Sequence, residues 1–132
     1  MDYLKARSLK TENTYAYMFA LEFEYEGGKQ AWHCCDIPFI FNNIDQTPSH
    51  NINGVSGRIA EDMSKMLVHF AYKGRPDTKA FKKWKPCIPG KIRTMVIDRN
   101  YELKENYDDD LIELHHRSFK GVSDKDRKLS QH

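Results

Sequence analysis

A helix-and-strand segment of the α/β class is predicted by three observations. Residues 15–25 alternate apolar side chains in a strand period. Residues 58–73 carry apolar side chains at helical spacing. Residues 92–97 form a second short apolar run, Ile-Arg-Thr-Met-Val-Ile, bounded by Pro-Gly and Arg-Asn turns.

Taken in order, residues 1–10 set Leu4, Ala6 and Leu9 among basic side chains, which suggests a short helix. In the 15–25 strand, Tyr15, Tyr17, Phe19, Leu21, Phe23 and Tyr25 share one face. The other face is apolar through Ala16, Met18 and Ala20 and then acidic at Glu22 and Glu24. Such a strand is covered on both faces at one end only, which fits the interior of a larger layered sheet. Gly27-Gly28 breaks it and opens a loop over residues 27–36 that holds Trp32, His33, Cys34, Cys35 and Asp36. Pro38 argues against a central strand in the apolar cluster 37–41. Residues 42–57, rich in Asn, Ser, Gly and Asp, read as an exposed connection.

The helix over 58–73 places Ile59, Met63, Met66, Leu67 and Phe70 on one side. Ser56 is its expected N-cap, Glu61 and Asp62 suit its first turns, and Gly74 and Pro76 end it. Phe81 and Trp84 lie in a basic loop. After the 92–97 strand, Arg99-Asn100 turns the chain into a short extended stretch over 101–103. The acidic run 108–110 precedes Leu111, Ile112 and Leu114 in a last helix, and residues 123–132 form a polar, frayed tail.

With 132 residues the chain holds one domain rather than two. Lys and Arg total 21 against 19 Asp and Glu, a net charge of +2 that gives little drive toward nucleic acid or anionic membrane. The one basic aromatic stretch, residues 79–85, is too short to change that expectation. No apolar run is long enough to span a bilayer, and Met1-Asp2-Tyr3-Leu4-Lys5 lacks the layout of a signal peptide. Cys34, Cys35 and Cys87 make a poor disulfide framework, so reduced thiols in a cytoplasmic setting are expected. Neither a metal nor a cofactor is expected, because the cysteines and histidines lack ligand spacing and no phosphate-cradling glycine loop is present.

No nucleophile motif is complete. Gly54-Val55-Ser56-Gly57-Arg58 puts Arg where a serine elbow needs glycine, and no strand leads into it. A thiol nucleophile at Cys34 or Cys35 would need a base distant in sequence rather than the adjacent His33. His33 itself admits two readings. It follows the strongest strand, where loops commonly display functional groups, and its imidazole can accept and return a proton near neutral pH. The commoner role is a loop histidine bonded to backbone.

The run Trp32-His33-Cys34-Cys35-Asp36-Ile37-Pro38-Phe39-Ile40-Phe41 resembles the histidine segment of the type-B carboxylesterases, the family of para-nitrobenzyl esterases and cholinesterases. Tyr15-Ala16-Tyr17-Met18-Phe19 is similar to that family's preceding strand. His69-Phe70-Ala71-Tyr72-Lys73-Gly74-Arg75-Pro76 resembles its long-helix exit, Trp84-Lys85-Pro86 its Trp-Pro turn, and Thr94-Met95-Val96-Ile97-Asp98 its late strand. The resemblance covers about residues 3–119 and implies the last quarter of the catalytic domain. It implies a C-terminal fragment of an α/β-hydrolase fold over residues 1–122, with the tail outside it.

On that resemblance His33 is the catalytic general base of a serine–acid–histidine triad whose serine and acid lie upstream. Asp36 takes the motif's acidic position as a support for the loop. Cys34-Cys35 departs from the Gly or Ala that commonly follows the histidine. The expected function is thus part of a carboxylic-ester hydrolase with little or no activity alone. The alternative is a non-enzymatic, self-associating remnant. The expected partners are a second copy of the chain or an upstream esterase polypeptide, with an ester substrate only in the complete enzyme.

Overall fold

The computed structural model describes residues 2–118. The predicted tail, residues 123–132, lies outside the described residues. Helix α1 (Asp2–Ser8) opens the chain, followed by strand β1 (Ala16–Phe19), a short helix α2 (Ile37–Ile40) and the long helix α3 (Ser56–Lys73). Strands β2 (Arg93–Ile97) and β3 (Tyr101–Glu105) follow, and residues 109–118 are helical.

The three strands make one mixed sheet in the order β1-β2-β3. β1 runs parallel to β2, with Tyr17 opposite Met95 and Phe19 opposite Ile97. β3 folds back antiparallel, placing Leu103 opposite Met95 and Tyr101 opposite Ile97. Side chains alternate across a strand, so Tyr17, Phe19, Met95, Ile97, Tyr101 and Leu103 share one face. That face meets α3 through Ile59 and Met63, both fully buried, and shares a core with Phe23, Phe39, Phe81 and Trp84.

The strand predicted over 15–25 is shorter than its alternation. Pairing with β2 stops at the bond from the Ala20 N–H to the Ile97 carbonyl, because β2 turns away at Asp98–Asn100. The alternation still governs burial, since Leu21 and Phe23 are buried without a ladder partner beyond the single bridge Phe23–Lys29. The connection 42–57 is also less exposed than predicted. It contains two 3-10 turns that bury Ile44 and His50, and Ile52 beyond them is buried as well.

Ser56 is not the N-cap. It is the first residue of α3 and fully buried, and its Oγ accepts from the Ile52 N–H (2.9 Å) while donating to the His50 carbonyl (2.7 Å). The hydroxyl thus satisfies two backbone groups of the preceding turn. The C-terminus of α3 behaves as read. Gly74 adopts a left-handed conformation (φ 69°) and donates to the Phe70 carbonyl at 2.8 Å.

α3 is locked to the β2–β3 hairpin by a polar clasp. The Tyr101 hydroxyl donates to Asp62 Oδ2 at 2.8 Å, and Arg58 donates to that hydroxyl (3.1 Å) and to the Arg99 carbonyl (2.7 Å). The opposite edge of the sheet has no such closure. β1 pairs with β2 on one side only, and its outer edge is unpaired among the described residues.

Candidate active-site segment: the histidine loop and the groove beside it

The loop after β1 is anchored at two points that flank its tip. Trp32 packs against Phe23 (centroids 5.0 Å) and His50 (4.9 Å), with the Lys29 ammonium 5.0 Å from its ring. Cys35 is buried in the core. Between these anchors His33 and Cys34 stand exposed. Two tight turns set the tip, Cys35 N–H to the Trp32 carbonyl and Ile37 N–H to the Cys34 carbonyl, both at 3.2 Å.

The first turn holds Cys34 at φ 64°, a left-handed conformation that glycine adopts freely and a residue with a Cβ adopts at a cost. This is the position where the resemblance expects Gly or Ala. The backbone adopts the left-handed turn although the side chain is a cysteine.

Asp36 ends the loop and leads into α2. Its Oδ2 accepts the Tyr17 hydroxyl proton at 2.5 Å, a bond that ties the loop's exit to β1. Burial, then this bond to a carboxylate, pushes the Tyr17 phenol well above its ordinary range. Tyr17 was not singled out in the sequence, yet the Tyr15-Ala16-Tyr17 alternation that sets Tyr17 on the core face was the available signal.

The His33 ring makes no hydrogen bond among the described residues, and no serine hydroxyl or carboxylate pairs with it there. The isolated reading of a loop histidine bonded to backbone is therefore not what the geometry shows. The cysteines offer no nucleophile–base pair either. Burial raises the Cys35 thiol above its ordinary range, which disfavours the thiolate, while Cys34 points to solvent. Among the described residues no group of three His, Cys, Asp or Glu is placed to hold a metal ion. No described helix is long and apolar enough to cross a membrane.

Beside the loop lies an apolar groove of about 410 Å³, bounded by Tyr15 and Tyr17 of β1, Ile37 and Phe41 around α2, Leu67 of α3, and Trp84. Leu67 and Phe70, read from the sequence as part of the buried face of α3, are 40% and 36% exposed because they border this groove. Trp84, in the loop read as basic, is instead a core residue at 4% exposure. Its Nε1–H has no acceptor among the described residues.

A mixed three-stranded sheet backed by a long helix, with an exposed histidine on the long loop that follows β1, has the architecture of a piece of an α/β hydrolase. A family model described as the carboxylesterase family matches residues 1–114, and the chain belongs to that family. An esterase from anaerobic Clostridium hathewayi that can hydrolyse aliphatic aromatic polyesters is 34% identical, with a TM-score of 0.82. The match covers 88% of this chain but 23% of that one, so the chain spans about a quarter of its relative. A PNB esterase superposes with a TM-score of 0.65 at 20% identity, over 75% of this chain and 20% of its own. A thermophilic PNB esterase gives 0.63 at 21% identity, over 70% and 20%. These last two support the fold. No curated protein matches the chain.

Proposed function

We propose that this chain supplies the general base of a carboxylic-ester hydrolase, with His33 as that base and the nucleophilic serine and triad acid on polypeptide outside the segment. The carrying observation is the state of His33. His33 is exposed on a loop anchored at Trp32 and Cys35 in the connection between β1 and α2, without a side-chain hydrogen bond among the described residues. An exposed imidazole on an anchored loop supports this reading, since its ring is open to groups from another polypeptide.

In the complete site the imidazole takes the serine proton as the hydroxyl oxygen bonds to the ester carbonyl carbon. It then returns that proton to the departing alkoxide, leaving an acyl-enzyme. Water repeats the sequence, its proton passing through the same ring before the serine oxygen is released with it. The acid's part is to orient the ring and stabilise its charged form. The segment contributes none of the oxyanion donors that carry much of the rate, so the isolated chain is expected to be nearly inactive.

The test mixes the purified chain with a polypeptide comprising the portion of the Clostridium relative outside the matched region, using para-nitrophenyl acetate. The chain alone, wild-type or His33→Ala, should match the buffer rate. The wild-type mixture should gain ester hydrolysis that His33→Ala lowers by about 10²–10⁴-fold. Equal rates for the two mixtures would remove His33 from the mechanism.

The open β1 edge also favours a second reading, a self-associating module without catalysis. It predicts a stable dimer in sedimentation and no gain of hydrolysis on mixing.

A further inference from the structure

Among the buried polar residues, Ser56 and His50 take part in no step of the site described above, yet together they reach the histidine loop. Ser56 opens α3 with its hydroxyl turned back on the chain that precedes it. It donates to the His50 carbonyl and accepts from the Ile52 N–H. The N–H groups of Val55 and Ser56 both donate to the Ile52 carbonyl at 3.0 Å. Residues 50–56 are therefore closed into a turn by one buried side chain and their own backbone, without help from a sheet.

His50 stands at the start of that turn. Its carbonyl is held by Ser56, and its Nδ1 lies 3.0 Å from the Ser49 hydroxyl. Its ring lies 4.9 Å from Trp32, 5.1 Å from Phe23 and 6.4 Å from Phe39. Phe23 belongs to the chain entering the loop, Trp32 immediately precedes His33, and Phe39 sits in α2 just past the loop's exit. One ring thus packs against both ends of the loop. Trp32 also touches Phe23 and the Lys29 ammonium, both on the entering chain. His50 is the contact in this set that ties Trp32 to the start of α3.

A general base works only within hydrogen-bond reach of the hydroxyl it serves, and a misplacement of about 1 Å caused from a distance can cost about a hundredfold in rate. We propose that His50 and Ser56 are positioning residues for His33: the Ser56 hydroxyl sets the 50–56 turn, the turn presents the His50 ring, and the ring holds Trp32 and with it the loop tip. The Tyr17–Asp36 bond secures the loop's exit, and this route secures its entry.

The role rests on the proposed function of His33, and two readouts keep them apart. The first is NMR relaxation on the full chain alone. In His50→Ala and in Ser56→Ala, the order parameters of the His33 and Cys34 amides should fall from the rigid range, about 0.85, to below about 0.6, while those of Met95 and Val96 in β2 stay unchanged. His50→Phe keeps a planar ring against Trp32 and Phe23 and should keep the wild-type values. The second readout is para-nitrophenyl acetate hydrolysis by the mixture used above, with every variant shown folded by circular dichroism. His50→Ala and Ser56→Ala should lower kcat by about ten- to a hundredfold with KM unchanged, and His50→Phe should restore it. Leu103→Ala, which removes core packing on β3 at the other edge of the sheet, should leave kcat unchanged even where it lowers the denaturant midpoint as far. Should His50→Ala fail to fold, Ser56→Ala carries the comparison. Unchanged order parameters in the folded variants would overturn the positioning role and leave His33 as the base. An equal fall of kcat in Leu103→Ala would reduce His50 and Ser56 to general stability and overturn the role as well. Loosened amides with no hydrolysis in the wild-type mixture would remove the functional reading, and the positioning role with it.

Discussion

The Tyr17 hydroxyl donates to Asp36 Oδ2 at 2.5 Å, spanning from the middle of β1 to the residue that closes the histidine loop. His33 lies in the loop between these two residues, so the bond fixes the loop's far end to the sheet. A hydrogen bond to a charged group contributes about 1.5–3 kcal/mol, and solvent exposure takes this one below that range. Tyr17→Phe should therefore lower stability by about 1 kcal/mol, read as a shift of the urea midpoint at constant slope. In the reconstituted esterase it should reduce turnover less than His33→Ala does, because the base remains while its placement loosens. Turnover lost as completely as in His33→Ala would show that Tyr17 acts in the chemistry itself.

Alkaline pH gives a second expectation. Burial and the bonds to Asp36 and Asp62 raise the phenols of Tyr17 and Tyr101 above the ordinary value of 10.0. The folded state therefore holds these protons where the unfolded chain has released them. The stabilisation is full below pH 10 and is lost as pH rises through the folded-state values. Denaturant midpoints should fall steadily above pH 10. Tyr101→Phe should flatten part of that slope. It should also cost about 1–2 kcal/mol at neutral pH, since it leaves Asp62 and Arg58 without their shared hydroxyl.

His50 sets the acid side. Its ring sits among Phe23, Trp32 and Phe39, with Nδ1 3.0 Å from the Ser49 hydroxyl. Desolvation there lowers its pKa below the ordinary 6.5, so the unfolded state binds the proton more readily. The stabilisation is present above pH 6.5 and is lost as pH falls through the lower folded value. His50→Phe keeps the aromatic packing and removes the titration. Its denaturant midpoint should decline less than the wild-type's as pH falls below 6.5. Parallel pH profiles for the two proteins would show that His50 is not the group responsible.

Much of this architecture was legible because burial follows side-chain period. The alternation over 15–25 marked Phe19, Leu21 and Phe23 as inward-facing, and the helical spacing over 58–73 marked Ile59 and Met63. What period cannot show is where pairing ends. The strand stops at Phe19 because β2 turns at Asp98, a fact about a distant segment. Ser56 misled for a related reason: its composition suits a cap, and only the position of the His50 carbonyl reveals the bond it makes. The motif marked His33 as the candidate. Its unpartnered state was not legible, since that depends on which side chains the fold fails to bring near it. The exposure of Leu67 and Phe70 is equally non-local, because an amphipathic face records that something covers it and not which polypeptide does.

Cys34 supplies the last expectation. Its φ of 64° places a Cβ-bearing residue in the left-handed region at the third position of the turn from Trp32 to Cys35. That conformation costs about 1–2 kcal/mol relative to the right-handed region for a side chain other than glycine. Glycine relieves it, although its greater freedom in the unfolded chain cancels part of the gain. Cys34→Gly should thus raise stability by about 0.5–1 kcal/mol, with an unchanged denaturant slope. Cys34 is exposed and in no disulfide, so glycine removes no buried side chain. Cys34→Val should act in the opposite direction, because a β-branched side chain is worse in this region. If Cys34→Gly lowered stability instead, the left-handed turn at the histidine loop would not be the conformation the chain holds. The placement of His33 between Trp32 and Cys35 would then need a different backbone path.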